Sequence, residues 1–299
     1  MKLTNLISFI LFLPFLFSCE KIIPLENESS SNKIVVNSLF STDSLWKIHL
    51  SYSKSVIGST DYKYVENALI KIIDSNGKQI TNFQYLNDGF YESNSFPKTN
   101  EKYFLKINNN NDSVSSFDKV PQHVSATNID TSSFVKNGQN RIKISLKFTD
   151  PKNENNYYKV AVKTKKTKID LLGQDNIIDT SIIENWIKLF QESEVLERTS
   201  ENSELIFNDL TFNGENFNVE FSIKNLIKKF DQDESVFLNL IDVYFYTISE
   251  SVYNYHKSIK IYNDIEGIPL IQPVQVFSNI DNGYGIFAGA SSDIINVYK

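Results

Sequence analysis

The chain has 299 residues, 41% of them apolar and 22% charged, with a net charge of −6. This is a globular composition, long enough to bury a core without covalent staples, and its acidic balance excludes the basic excess expected of a nucleic-acid binder. A single cysteine excludes a disulfide framework and a cysteine-based zinc site, and three scattered histidines (His49, His123 and His256) argue against a histidine-rich metal centre.

Met1–Ser18 reads as a secretory signal, with Lys2 as its positive start and Leu6–Phe17 as an apolar run. That run is too short for a permanent bilayer span, which needs about 20 apolar residues. Leu16-Phe17-Ser18-Cys19 resembles a bacterial lipobox, with Phe17 bulkier than usual at its position, and the only cysteine stands where a lipidated N-terminus requires it. Cys19 is therefore the expected lipidation site, carrying thioether-linked diacylglycerol and a palmitate-type amide chain; several acyl chains give stable anchoring where one is marginal. Residues 19–32 show no periodicity and end in a polar Asn27–Asn32 run, as expected of a lipidated tether.

Alternating apolar residues then dominate. Ile34–Phe40 is a β-branched run, and Trp46, Ile48, Leu50 and Tyr52 share one face opposite Lys47, His49 and Ser51. Ala68–Ile73 leads into the turn cluster Asp74–Gly77, Asp88-Gly89 marks a hairpin between Phe83–Leu86 and Phe90–Tyr91, and Tyr103, Leu105 and Ile107 alternate up to Asn108–Asn111. Six or seven short strands at this spacing predict an immunoglobulin-like or transthyretin-like β-sandwich over residues 33–121. Residues 122–140 read as a connection. A second β-rich domain is expected over 141–299, with strands over Ile142–Phe148 and from Tyr158 onward. It continues with a hairpin at Asn213-Gly214 between Leu210–Phe212 and Phe217–Ile223, and an apolar, central strand over Val236–Thr247. Thr247 and Glu250 have capping-box spacing before a stripe of Val252, Tyr255, Ile259 and Tyr262, which predicts one helix. Val274–Phe277 reads as strand, followed by a glycine-rich return and a last strand over Ile294–Tyr298.

Several runs, in order, are similar to those of the Bacteroidota outer-membrane lipoproteins grouped as the domain-of-unknown-function 4249 family. The strongest is Pro273–Ile280 continued by Asp281–Gly289; others are Phe148–Pro151 with Asn156-Tyr157-Tyr158, and Asn208–Gly214. Cys19–Lys21, Lys33–Val36 and Asp88–Tyr91 also fit, whereas Ile268-Pro269-Leu270 departs from a common Pro-Phe pair. The resemblance implies no catalytic residues. Genes of the family often neighbour those of TonB-dependent outer-membrane receptors, which implies an accessory role beside such a barrel, by association.

Each candidate for chemistry has a plainer reading. Gly283, Gly285 and Gly289 approach a dinucleotide fingerprint but have one residue too many and no βαβ unit, so they are expected to serve a tight structural return. Asp231–Glu234 is acidic enough for calcium but lacks the EF-hand glycine and late glutamate, and reads as a solvated turn. The histidines have no nucleophile elbow to serve and read as surface or partly packed. Tyr62, Tyr64, Tyr85 and Tyr91 lie near predicted loops, where they could stack on a glycan; Asp43-Ser44-Leu45 and Asp112-Ser113-Val114 resemble short O-glycosylation sequons. The expectation is thus a mainly β, non-enzymatic outer-membrane lipoprotein with no catalytic residue, cofactor or metal. It would be accessory to a TonB-dependent transporter or another barrel, the alternative being a glycan- or peptide-binding module.

Overall fold

The computed structural model describes residues 32–54, 63–79, 82–172, 176–192, 203–225, 235–265 and 274–297, with backbone only at 166–172, 176–183 and 235–239. The expected signal, Cys19, nearly all of the tether, Tyr62 and Asp231–Glu234 lie outside the described residues. In chain order the elements are β1 (Ile34–Ser41), β2 (Lys47–Tyr52), β3 (Leu69–Ile73), β4 (Gln84–Tyr85), β5 (Phe90–Glu92), β6 (Lys102–Asn109), β7 (Asp112–Lys119) and β8 (Ala126–Lys136). They continue as β9 (Gln139–Thr149), β10 (Tyr157–Leu172), β11 (Asn176–Trp186), β12 (Phe190–Gln191), β13 (Glu204–Asn208), β14 (Asn216–Lys224), β15 (Ser235–Ile248), α1 (Glu250–Ile265) and β16 (Tyr284–Val297). The protein is mainly β, with one C-terminal helix among the described residues.

One nine-stranded sheet forms the spine, in the order β11-β10-β15-β16-β1-β2-β5-β4 with β13 also against β10. The parallel pairing of β16 with β1, from Val35 opposite Tyr284 to Ser41 opposite Ala290, carries this sheet through both the 33–121 and the 141–299 segments. Two smaller sheets, β3-β6-β7 and β12-β14-β9-β8, cover one face in sandwich fashion. Under the first lies a core of Val36, Phe40, Trp46, Ile48, Leu105 and Phe287; under the second lies one built on Phe148, Tyr158, Val160, Phe221, Val243 and Phe245. On the opposite face α1 seats Val252 and Tyr253 against Ile206, Ile248, Ile286, Ala288 and Ala290. Because β16 is buried on both faces, its residues read as a continuous apolar and small run rather than an alternation.

The Asp88-Gly89 hairpin forms as expected: both residues have positive φ (46° and 78°), and Leu86 N–H donates to Phe90 O at 2.9 Å. Val236–Thr247 falls within β15, between β10 and β16, as a central strand must.

Four local readings are corrected. The 122–140 stretch contains β8, an edge strand whose side chains are mostly exposed; a strand that buries almost nothing leaves no hydrophobic period to read. Asn213-Gly214 does not join a hairpin. Leu210–Phe212 is a turn, and the flanking strands β13 and β14 belong to different sheets, pairing β10 and β9 respectively. The helix is capped by Ser249, not Thr247: Val252 N–H donates to Ser249 Oγ at 3.4 Å, while Thr247 remains in β15. Val274–Phe277 forms no strand, because Phe277 N–H is taken by Ser258 Oγ of α1 at 2.8 Å.

Candidate functional site

The C-terminal run Ser278–Asp281 lies between β7 and β16 and binds both. Asn279 uses its amide as a substitute strand: Nδ2 donates to Phe287 O at 2.8 Å and Oδ1 accepts Phe287 N–H at 3.0 Å. Ser116 Oγ donates to Asn279 O at 2.7 Å, and Asp281 N–H donates to Ser115 O at 2.8 Å. One turn away, Asp118 gathers β7, β16 and the start of α1. Its carboxylate accepts Ser249 Oγ at 2.5 Å, Gly289 N–H at 2.9 Å and Ser251 Oγ at 3.5 Å. Burial raises its pKa, and these donors pull it back down. A cleft of about 530 Å³ opens at this junction between Lys102, Phe117, Asp118, Ser249, Ser251 and Ile280.

A second cavity, of about 340 Å³, opens at the end of the β3-β6-β7 sheet with Trp46 and Tyr103 in its wall and exposed Phe96 beside it. The indole N–H of Trp46 is buried and has no acceptor among the described residues. Lys78, Glu101 and Asp74 surround the cavity, with Glu101 accepting Ser75 Oγ and Asp74 capping the Asn76–Lys78 turn.

The runs Phe148–Tyr158 and Asn208–Gly214 meet in one buried polar lock. Tyr158 OH donates to Asp150 Oδ1 at 2.5 Å, and Gly214 N–H donates to Asp150 Oδ2 at 2.8 Å. Asp209 Oδ2 accepts Asn156 N–H at 2.8 Å and Asn213 Nδ2 at 3.3 Å. Burial, then the Asp150 carboxylate, push the Tyr158 hydroxyl far above its ordinary pKa, so it serves as a hydrogen-bond donor. Both carboxylates are occupied in tying loops together, and the arrangement supplies structure. Among the described residues no group of three or more His, Cys, Asp or Glu side chains converges as metal ligands would.

The three glycines occupy two settings. Gly283 lies in the turn into β16, where a Cβ would meet Ile34 O at 2.6 Å; Gly285 and Gly289 lie inside β16, where the conflicts are with Val36 O at 2.0 Å and Lys119 O at 2.5 Å. His49 contacts Asp88 O at 3.1 Å on the strand's polar face, and His123 contacts Ser125 Oγ at 2.9 Å. Tyr64 and Tyr85 are exposed, whereas Tyr91 is buried and donates to Val65 O at 2.9 Å. Ser44 follows β1 in an exposed turn, and Ser113 is exposed near the start of β7.

His256 is packed into α1 with Nδ1 at 3.7 Å from Glu204 and Nε2 buried without a partner among the described residues. Burial lowers its pKa below 6.5, opposed by Glu204 and assisted by Lys159. The folded chain therefore takes up this proton at lower pH than the unfolded chain does. Stability tied to the neutral ring is fully present above pH 6.5 and is lost as pH falls below that value. Replacing His256 with glutamine is expected to flatten the decline in melting temperature between pH 7 and pH 5; parallel profiles for the two proteins would contradict it.

Asp118 was not among the residues singled out from sequence. The signal was present: positions 114, 116 and 118 share the inward face of β7, which half-buries a carboxylate at 118.

The fold and site thus define a mainly β protein with sandwich-like packing and a hydrogen-bonded C-terminal clamp. The family described as "Domain of unknown function (DUF4249)" matches residues 20–294, and the chain belongs to that family. No curated protein matches it significantly. Among solved structures it is similar to one described as "Complete structure of manganese lipoxygenase of Gaeumannomyces graminis and partial structure of zonadhesin of Komagataella pastoris". The identity is 11% and the TM-score 0.20, over 89% of this chain and 98% of that one. Overlap that poor carries no argument about fold or activity.

Proposed function

We propose that the protein is an outer-membrane lipoprotein of Bacteroidota, lipid-modified on Cys19, that works without catalysis of its own by docking against a membrane partner such as a TonB-dependent barrel. The observation that carries the docking reading is a row of apolar side chains on the face of the large sheet that also carries α1. Trp186 is 53% exposed and packs edge-on against Tyr244 at 5.1 Å, and Tyr244 stands opposite Ile294, which is 43% exposed. A sheet face is flat, and a flat apolar row suits a protein surface better than a small ligand. A lipid anchor confines the protein to one plane and raises its effective concentration for such a partner without any new contact. A glycan- or peptide-binding module is the second reading, favoured by the aromatic-walled cavity at Trp46 and by its indole N–H, which has no acceptor among the described residues.

Two experiments test the proposal. Cys19→Ser is expected to move the protein from the membrane to the soluble fraction; full membrane retention would refute lipid as the tether. A photocrosslinker at position 186 in native membranes is expected to capture a barrel protein, and repeated recovery of the lipoprotein without an adduct would overturn the docking reading.

A further inference from the structure

The outward face of the β3-β6-β7 sheet gathers lysines on adjacent strands. Its cross-strand register sets Lys71 directly opposite Lys106 and Lys102 directly opposite Lys119. Between these two lysine rungs, Phe104 stands opposite Phe117. The rings are 37% and 56% exposed, and the Lys102 ammonium lies 5.0 Å and 4.2 Å from their centroids.

Like charges directly opposite on a sheet oppose folding. Several strand lysines elsewhere are answered by carboxylates, as in Lys47–Glu92, Lys143–Glu220, Lys159–Glu204 and Lys165–Asp242. None of the four lysines on this face has an ion-pair partner among the described residues, and no outward position of β3, β6 or β7 carries an acidic side chain. Beyond the β7 edge, Asp281 accepts Ser115 Oγ at 3.4 Å and, with Asp118 and Glu250, borders the cleft that Lys102, Phe117 and Lys119 also line; within its three strands the face is basic, with exposed aromatic rings at its centre, on a chain of net charge −6.

We propose that this face docks on an anionic lipid surface, with the lysine ammonium groups on headgroup phosphates and Phe104 and Phe117 in the interfacial layer. The order lysine, phenylalanine, lysine across a flat sheet matches the two demands of that layer, charge attraction and shallow apolar burial. An acidic protein would satisfy the lysines but would have to cover two phenylalanines that stand between them. The inference does not require lipid on Cys19; if that lipid is present, the face supplies the second membrane signal that orients the body.

The test uses residues 19–299 carrying Cys19→Ser, so that neither an attached lipid nor the apolar Met1–Ser18 run contributes, and vesicles of phosphatidylcholine with or without phosphatidylglycerol. Binding is expected only with phosphatidylglycerol and should weaken as salt shortens the screening length. Each lysine near an anionic surface contributes about fivefold, so Lys71→Gln with Lys106→Gln should weaken binding by about 30-fold. The melting temperature should not fall, because the substitutions remove a repulsion. Equal binding to both vesicle types, or no effect of the double substitution, would overturn the proposal. So would competition in which polyglutamate displaces the protein from vesicles and binds it more tightly, because the partner would then be an acidic polypeptide.

Discussion

Gly285→Val is expected to lower the melting temperature by on the order of 10 °C or to prevent folding, because it breaks the pairing that joins the two halves of the chain. Gly285 has φ +103°, a region side chains rarely adopt, and a Cβ there would lie 2.0 Å from Val36 O, well inside contact distance. The strand cannot retreat to make room. On one face Phe287 fills the core beneath β3-β6-β7, and on the other Ile286 and Ala288 pack beneath α1. The β1–β16 ladder would open at Val36, and with it the continuity of the nine-stranded sheet. A cost above about 4 kcal/mol is reasonable for backbone strain combined with a lost ladder. Thermal unfolding measures it directly, and an unchanged melting temperature would show that the backbone tolerates a side chain there.

Phe148→Ala is expected to cost about 3–5 kcal/mol, the range for a large aromatic truncated in a packed core. Phe148 is fully buried at the centre of an aromatic cluster, with ring centroids of Tyr158 at 4.7 Å, Phe245 at 4.8 Å, Phe212 at 5.9 Å and Phe217 at 6.0 Å. These neighbours come from β10, β15, the 210–215 turn and β14, so no single element can collapse into the void. Phe148→Leu should recover much of the loss. The measurement is the denaturant midpoint at constant slope; a shift in the alanine variant no larger than that of a surface substitution would contradict the packing.

These two residues also show how far local sequence carries. Phe148 ends an alternation, Ile142, Ile144, Leu146, Phe148, that reads directly as one buried face, and the structure buries all four in one cluster. Gly285 is legible only as a glycine in a glycine-rich stretch. That it sits inside a strand rather than in the preceding turn depends on a parallel partner about 250 residues earlier in the chain, and no short-range pattern encodes that pairing. The clamp at Asn279 is similar: the asparagine is visible in sequence, but its mimicry of a strand toward Phe287 requires β7 and β16 to be placed first. The lysine rungs follow the same logic. Lys102 and Lys106 lie two rungs apart on β6, an unremarkable spacing until the register sets Lys119 and Lys71 across from them.

Sequence alone determined the mainly β character, the Asp88-Gly89 hairpin, the central placement of Val236–Thr247 and the single C-terminal helix. Each of these follows from periodicity or turn chemistry within a dozen residues. Tertiary structure decided the rest: β8 as a nearly bare edge strand, the cap at Ser249, the half-buried carboxylate of Asp118 and the spine that unites both halves through β1 and β16. The physical reason is that burial and hydrogen-bond partnership are properties of pairs brought together across the chain. A sequence displays one member of each pair at a time.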